Sequence, residues 1–560
     1  MNGSRSVAAR GVRWGVVSAM AVTAALCATG GAAGPTLSAT PNPHVSKAFS
    51  ASGFADGKWG DSTADAVSKD AYGKNQAEKD PGSLFTVEKA IGARAAWTKK
   101  DAANKQVTGQ GVGVAVLDSG VSPVAGLDAA GKITYGPDLS VESNGNLSDQ
   151  DTFGHGTFMA GIIAGRGVSN PSSDLPSAPA NVQLGVAPDA KLLAIKLAAT
   201  DGSTDVSQVI AALDWVTEHP LMPDGTRVRV INLSYGTDSK QAYTSDPLAA
   251  AAENAWKHGI VVVTSAGNSG TATGSVTDPA TDPFVIAVGA TDSSDRSDGW
   301  TRDHTRIASF SNVGTSTRHV DLVAPGTSLV SARDNGSYVD QNNARGLVAG
   351  DTTGKLFRGS GTSQAAAVVS GSVALLLQAY PSLTPDQVKY ALTSSAQSVT
   401  GASVLSQGAG TLNLAGALDA ASHLVGTDAT AKTMRAAAVQ SFPAATGLGS
   451  LDASRGNSVV VDADGNDVSG EVDVQGNAWN PTAWASASAN LTAWSGGSWM
   501  GATWTGSGWD TSGGLSSARW SSARWSDADW SSARWSSARW SSARWSSARW
   551  SSARWSASDW

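Results

Sequence analysis

The sequence predicts an α/β fold for its middle: a doubly wound, mostly parallel sheet with helices on both faces. Three observations predict it. Between Gly111 and about Leu424, short β-branched runs alternate with longer helical patterns, and strands alternating with helices form parallel sheets covered on both sides. Hydrophobic residues make up 41 % of the 560-residue chain and charged residues only 16 %. That balance supports a sizeable core and excludes a highly charged disordered chain. One stretch, Gly359 to Pro385, carries no charge. Ser, Thr, Gln and Gly interrupt it, so it reads as a buried helix with its approaches rather than a membrane span.

The strand candidates, in order, are Gly113–Leu117, Leu192–Leu197, Val228–Leu233, Ile260–Thr264 and Phe284–Val288. The helix candidates are Val206–Glu218, Pro247–His258, Ser363–Tyr380 and Pro385–Ser395. The last opens with Thr384 as cap and Pro385 in the first turn, where its missing N–H costs nothing. In such sheets, sites form beyond the carboxyl ends of the strands.

The flanks differ in composition. Arg5, Arg10 and Arg13 precede an apolar, uncharged run from Trp14 to Ala28, followed by Gly31, Ala32 and Ala33. This is the layout of a secretory signal peptide over residues 1–33, too short to span a membrane comfortably. The single cysteine, Cys27, lies within it; bulky Leu26 disfavours a lipoprotein site. Cleavage near Ala33 leaves no cysteine, hence neither disulfides nor thiol chemistry. Residues 34–90 are poor in large apolar groups and read as a pro-segment or linker. Residues 425–476 read as a small β appendage or linker. Val459–Asp462, Asp464-Gly465-Asn466 and Val472–Val474 suggest a hairpin; the Asp462/Asp464 pair lacks the further ligands of a calcium loop. The net charge of −7 argues against nucleic acid as partner.

Three segments carry chemistry. Val114-Ala115-Val116-Leu117-Asp118-Ser119-Gly120 reads as a buried strand ending in a carboxylate. Gly154-His155-Gly156-Thr157 places a histidine just ahead of the apolar helical run Met159 to Ala164, and Gly359-Ser360-Gly361-Thr362-Ser363 places a serine at the start of the uncharged helix. A serine hydroxyl is a poor nucleophile until a base takes its proton. Histidine does so near neutral pH, and a buried carboxylate fixes its tautomer and stabilises the imidazolium. A helix N-terminus favours the developing negative charge. Each segment alone has a bland reading: a turn, a structural histidine, an N-cap. Their joint occurrence, in the order Asp, His, Ser, is far more specific.

In that order and in these motifs the chain resembles the subtilisin-like serine proteases, the subtilases. The resemblance runs from about Ile91 to Leu424 and includes Ile231-Asn232-Leu233-Ser234-Tyr235-Gly236, Thr264-Ser265-Ala266-Gly267-Asn268, Ala308-Ser309-Phe310-Ser311-Asn312-Val313-Gly314 and Ala324-Pro325-Gly326. It implies a subtilisin-like catalytic domain over 91–424 with Asp118, His155 and Ser363 as triad. It implies Asn268 as side-chain donor of the oxyanion hole, beside the Ser363 backbone N–H. Ser234-Tyr235-Gly236 and Ser265-Ala266-Gly267 would wall the specificity pocket, the first adding a strand to bound peptide. Thr277 stands where deep-pocket members have glycine, which favours small or medium side chains. Phe158 and Ala367 stand where the family usually has His and Pro; neither position carries a catalytic proton. No cofactor is implied for the chemistry. Structural calcium is common in the family, but no ligand set can be assigned from this sequence.

From Trp479 the chain is repetitive: fifteen of its 21 Trp lie here, and Trp520 to Trp560 recur every fifth residue, mostly within Ser-Ser-Ala-Arg-Trp. On a helix five residues turn ~500°, and on a strand an odd period alternates faces. Only a backbone that turns a corner every five residues keeps the rings on one side. The pattern loosely resembles pentapeptide repeats, which wind a square β-helix. Three readings of 477–560 stand side by side: a β-solenoid, a disordered tail, and a stalk whose Trp and Arg stack on cell-wall polysaccharide or anionic polymers. The chain as a whole therefore reads as a secreted or cell-surface endopeptidase acting on protein or peptide substrates. The alternative is an envelope-binding or display protein in which the tail anchors an active or inactive protease scaffold.

Overall fold

The structure is a computed structural model. It describes residues 77–140, 147–167, 175–200, 204–270, 274–292, 305–456, most of 459–503, and 517–519. The signal-peptide reading and the repeats from 520 onward lie outside these residues.

Seven strands run through the central sheet in the order β2 (Ile133–Asp138), β3 (Lys191–Lys196), β1 (Val112–Asp118), β4 (Arg227–Leu233), β5 (Val261–Ser265), β6 (Ile286–Asp292) and β7 (Arg306–Ile307). An eighth, β8 (Leu322–Pro325), also pairs with β6. Every pairing is parallel except β6 with β7. All seven residues of β1 are buried, as a strand covered on both faces requires. The expected doubly wound α/β fold is therefore present, with strand ends within a few residues of those read from the sequence. The uncharged stretch forms the helix Thr362–Ala379, which is almost wholly buried and packs on β1, β4, β5 and β6. It is a core helix.

Local chemistry starts the surrounding helices where the sequence places them. Asp205 and Gln208 form a reciprocal capping box for Val206–Glu218, and Thr384 with Gln387 does the same for Pro385–Ser395. Asp246 accepts from Leu248 N at 2.8 Å to open Pro247–Lys257. Each of these contacts satisfies backbone donors that a helix start otherwise leaves orphaned.

The flanks differ from the sequence reading. Residues 77–90, expected within a linker, are built into the domain. Leu84 and Val87 of the helix Leu84–Ile91 are buried. Asp80 forms a buried ion pair with Arg358, Nη2–Oδ2 2.5 Å. The chain past Leu424 also stays on the domain. The helix Ala429–Ala438 packs against Pro385–Ser395 and Leu414–Leu424. An extended strap follows, with Thr446 N donating to Thr244 O at 2.8 Å and Gly449 N to Ser245 O at 2.7 Å. The expected hairpin is present in its first arm only. Val459–Val461 pairs with Asp467–Val468, and then with Ser517–Arg519 on its other edge. Asp473, placed by sequence in the second arm, closes its own turn by accepting from Asn477 N at 2.9 Å.

The start of the Trp-rich region is packed rather than free. Trp479, Trp484, Trp494 and Trp499 are all buried, around the helix Pro481–Ala489 and two short hairpin strands. Their rings lie against one another, Trp479–Trp484 at 5.2 Å and Trp479–Trp499 at 6.0 Å between centroids. The indole N–H groups of Trp484 and Trp499 both donate to Asp214 Oδ2, each at 2.9 Å, and Ser488 Oγ donates to Oδ1 at 2.5 Å. Asp214 lies on the helix Val206–Glu218, so this segment is a second cover of the catalytic layer. Among the described residues, 477–503 are packed on the domain; the solenoid, disorder and stalk readings of the repeats beyond them lie outside the described residues.

Candidate active site

The site lies at the carboxyl ends of the central strands. There β1 is flanked by β3 on one side and β4 on the other, the switch point at which crevices open in such sheets. Asp118 is the last residue of β1, and its backbone oxygen accepts from Leu197 N at 2.7 Å. Its carboxylate accepts from Ser119 N at 2.7 Å and Ser119 Oγ at 3.2 Å. His155 opens the helix His155–Ala164, and its Nδ1 lies 2.8 Å from Asp118 Oδ1 and 3.0 Å from Oδ2. A carboxylate only accepts, so Nδ1 carries the proton and Nε2 presents a lone pair. Both side chains are buried.

Glycine makes this approach possible. A Cβ on Gly156 would stand 2.1 Å from Gly120 O and 3.0 Å from Asp118 Cβ. Gly154 has φ +104°, and a Cβ there would meet Ser337 Oγ at 2.3 Å. Asp151, which sequence reasoning passed over, holds the turn between them. Its oxygens accept from Gly154 N and Thr157 N, each at 2.7 Å. Its carboxyl is raised, first by burial, and the neighbouring Asp334 is pushed up to about 7 by burial and then by the Asp151 charge. Asp151's position four residues before His155 was the available signal. Asp334 gave none.

Ser363 is the second residue of the core helix Thr362–Ala379 and is buried. The loop before it fits closely: Gly361 N donates to Gly326 O at 2.7 Å, and a Cβ on Gly326 would stand 2.6 Å from Gly361 O. The same helix packs against the histidine helix. Asn268 stands at the serine end. Its Oδ1 accepts from Thr362 N and Thr362 Oγ1, each at 2.9 Å. Its buried Nδ2 has no hydrogen-bond partner. The carboxamide is thus held by its oxygen, with two N–H donors left unused beside Ser363.

The residues read as pocket walls converge on Thr277. Thr277 N donates to Ala266 O at 3.1 Å. A Cβ on Gly236 would stand 2.4 Å from Thr277 Oγ1, and one on Gly267 2.8 Å from Thr277 Cγ2. Thr277 therefore lies between the segments Ser234–Gly236 and Ser265–Gly267. The Tyr235 side chain is buried, and the Asp205 and Arg455 charges act on its hydroxyl, whose pKa is raised first by burial. Asn232 ties the first wall to the core helix, donating to Ser234 Oγ at 3.1 Å and accepting from Ser370 Oγ at 2.9 Å. Among the described residues no group of three His, Cys, Asp or Glu side chains could hold a metal ion.

A parallel α/β sheet with a buried carboxylate–histidine pair at its strand ends, and a core helix that carries a serine as its second residue, defines a hydrolase-like class of site. The family is given by comparison. Residues 109–417 match the model of the subtilase family (Peptidase_S8), and the chain belongs to that family. It is 33 % identical over 288 residues to serine protease AprX of Bacillus subtilis (strain 168), covering 50 % of this chain and 60 % of that protein. It is 33 % identical over 296 residues to subtilisin Savinase of Lederbergia lenta, covering 53 % of this chain and 87 % of that protein. Among solved structures, fervidolysin from Fervidobacterium pennivorans aligns with TM-score 0.45 at 25 % identity, over 64 % of this chain and 47 % of that one.

Proposed function

We propose that this protein is a serine endopeptidase that cleaves peptide bonds through an acyl-enzyme. The observation that carries the reading is the buried Asp118–His155 pair at 2.8 Å, formed beside a core helix that begins at Thr362-Ser363. Ser363 Oγ attacks the scissile carbonyl as His155 Nε2 takes its proton. Asp118 holds the imidazole in that tautomer and stabilises its positive charge. Asn268 Nδ2 and the Ser363 backbone N–H donate to the oxyanion. The amide's contribution arises in the transition state, where it acts on full negative charge rather than on a carbonyl. His155 then returns its proton to the leaving amine, and water repeats the sequence on the acyl-enzyme.

The substrate is a peptide whose backbone lies along Ser234–Gly236, with the side chain before the scissile bond directed towards Thr277. The filled space between the walls favours small or medium side chains there. The signal-like first 33 residues support export, and the Trp/Arg repeats support retention at a cell wall. Labelling of the purified, secreted protein with a fluorophosphonate probe tests the reading. Wild type takes up the label and hydrolyses casein; Ser363→Ala does neither, with an unchanged circular-dichroism spectrum. Casein hydrolysis by Ser363→Ala equal to wild type overturns the assignment.

A further inference from the structure

The first pocket wall begins where the sheet stops supporting it. The last β4 residue paired to β5 is Leu233, opposite Thr264. Ser234-Tyr235-Gly236 therefore depends on contacts made beyond the strand. On one side, Thr237 and Asp278 form a two-bond bridge, Thr237 N to Asp278 O at 2.9 Å and Asp278 N to Thr237 O at 3.0 Å. On the other side lies a short piece of the C-terminal strap, outside the family-matched residues 109–417.

That piece is Ser450–Gly456. Thr237 Oγ1 donates to Ser454 O at 2.6 Å, and Ser454 Oγ donates to Asp246 Oδ1 at 2.8 Å. Asp246 Oδ2 in turn accepts from Ser239 Oγ at 3.1 Å and Gln241 Nε2 at 3.0 Å. Gly456, at φ +66°, lies so near the loop that a Cβ would stand 2.8 Å from Asp238 C and Ser239 N. The buried Arg455 forms two bonds to Asp205, Nε–Oδ1 2.9 Å and Nη2–Oδ2 3.1 Å, and a third from Nη2 to Val472 O at 2.5 Å. Both members of this ion pair act electrostatically on the Tyr235 hydroxyl. A planar guanidinium holding a carboxylate at two points fixes orientation as well as distance.

We propose that Ser454 and Arg455 are positioning residues of the specificity pocket: the strap completes, within the same chain, the wall formed by Ser234–Gly236. They touch no reacting atom. They act through Thr237 and Tyr235 on the backbone that receives the substrate. The inference rests on the pocket reading given above.

The test uses the full-length secreted enzyme and two peptides that differ only in Ala or Phe before the scissile bond. Arg455→Ala and Thr237→Val are compared with wild type and with Arg455→Lys. Thr237→Val removes one hydroxyl at nearly constant shape, so it decides the matter if Arg455→Ala fails to fold. Loosening the wall is expected to raise KM ~10-fold, because small misplacements of binding groups are costly. The preference for Ala over Phe should shrink, while the rate of fluorophosphonate labelling, which needs the triad and oxyanion donors but not the specificity pocket, stays near wild type. Arg455→Lys should recover part of the loss. If a folded Thr237→Val keeps both KM and the Ala/Phe ratio, or if labelling falls in step with peptide hydrolysis, the inference fails. Thr277→Gly separates this failure from that of the pocket itself. Relief of steric filling should raise the Phe peptide selectively, by ~10–200-fold. No gain with Thr277→Gly sinks the pocket reading. A gain there with no effect of the strap variants sinks only the inference about the strap.

Discussion

The Asn268 carboxamide is held at its oxygen end only. Thr362 supplies both donors to Oδ1, and Nδ2 is buried with no partner. A buried amide N–H without an acceptor costs roughly 1–3 kcal/mol, so the arrangement persists where a ligand supplies the acceptor. Asn268→Ala should therefore lower kcat by ~10²–10³ with little change in KM, since the interaction strengthens only as the oxyanion forms. Steady-state kinetics on one peptide measure both terms, and a pure KM effect would remove Asn268 from this role. Asp118, His155, Ser363 and Asn268 were read from the joint occurrence of short motifs and from the family resemblance those motifs carry. Asp151 and Asp334 were not read, although both lie beside the histidine turn. Asp334 is remote in sequence from every motif, and only the fold brings it to Ser122 and Thr157, 2.7 Å and 3.5 Å away.

At the scale of elements, the helix Val206–Glu218 is gripped from two directions. Asp205 at its start pairs with Arg455, and Asp214 in its middle collects Trp484, Trp499 and Ser488. Burial raises the Asp214 carboxyl to about 6, from a usual 3.8. The folded state thus binds this proton more tightly than the unfolded one. The group's contribution is fully present below about pH 4 and is lost as pH rises through about 6, on the order of 3 kcal/mol by the value of a pKa unit. Urea midpoints taken between pH 4 and 7 should fall with rising pH more steeply in wild type than in Asp214→Asn. Parallel pH profiles for the two proteins would mean that Asp214 titrates normally. The sequence placed this helix correctly from its apolar period and the Asp205 cap. It did not reveal what covers the helix, because Asp214 looks like any polar residue on a helix until its partners, some 270 residues away, are known.

For the whole molecule, the catalytic unit extends beyond its family boundary at both ends. Upstream, Asp80 pairs with the buried Arg358 guanidinium. Downstream, Leu451, Val474, Trp479, Trp484, Trp494 and Trp499 belong to the same hydrophobic core as the sheet. Truncating one buried Trp to Ala costs ~3–5 kcal/mol, a large part of the 5–15 kcal/mol that a folded domain usually has. A chain ending at Leu424 should then aggregate or melt well below wild type, and peptide hydrolysis should be lost with the fold. A chain ending at Arg519 keeps every described contact and should retain wild-type Tm and kcat/KM on a small soluble peptide. Calorimetry and steady-state kinetics on both chains decide it; full activity in the shorter one would show that residues 425–503 are dispensable. If the remaining repeats bind polysaccharide, the chain ending at Arg519 stays in solution while the full chain pellets with cell walls.

Periodicity, capping residues and short motifs are local, and for this protein they sufficed to predict the parallel α/β fold and its main helices, and to single out Asp118, His155 and Ser363 as candidates. The close approach of His155 to Asp118 follows from local rules too: a carboxylate at a strand end, and glycines where backbones nearly touch. What only tertiary structure decided is which weak segments the domain recruits. Residues 77–90 and 425–476 are rich in small and polar groups and show no strong period, so their composition alone matches a linker; the Trp-rich residues 477–503 show a repeat but not what it packs against. Their few large side chains are stabilised by partners distant in the chain: Asp80 by Arg358, Arg455 by Asp205, and the tryptophans by Asp214. Such pairings become visible only after the sheet has brought both members together, because nothing in either segment by itself specifies the other.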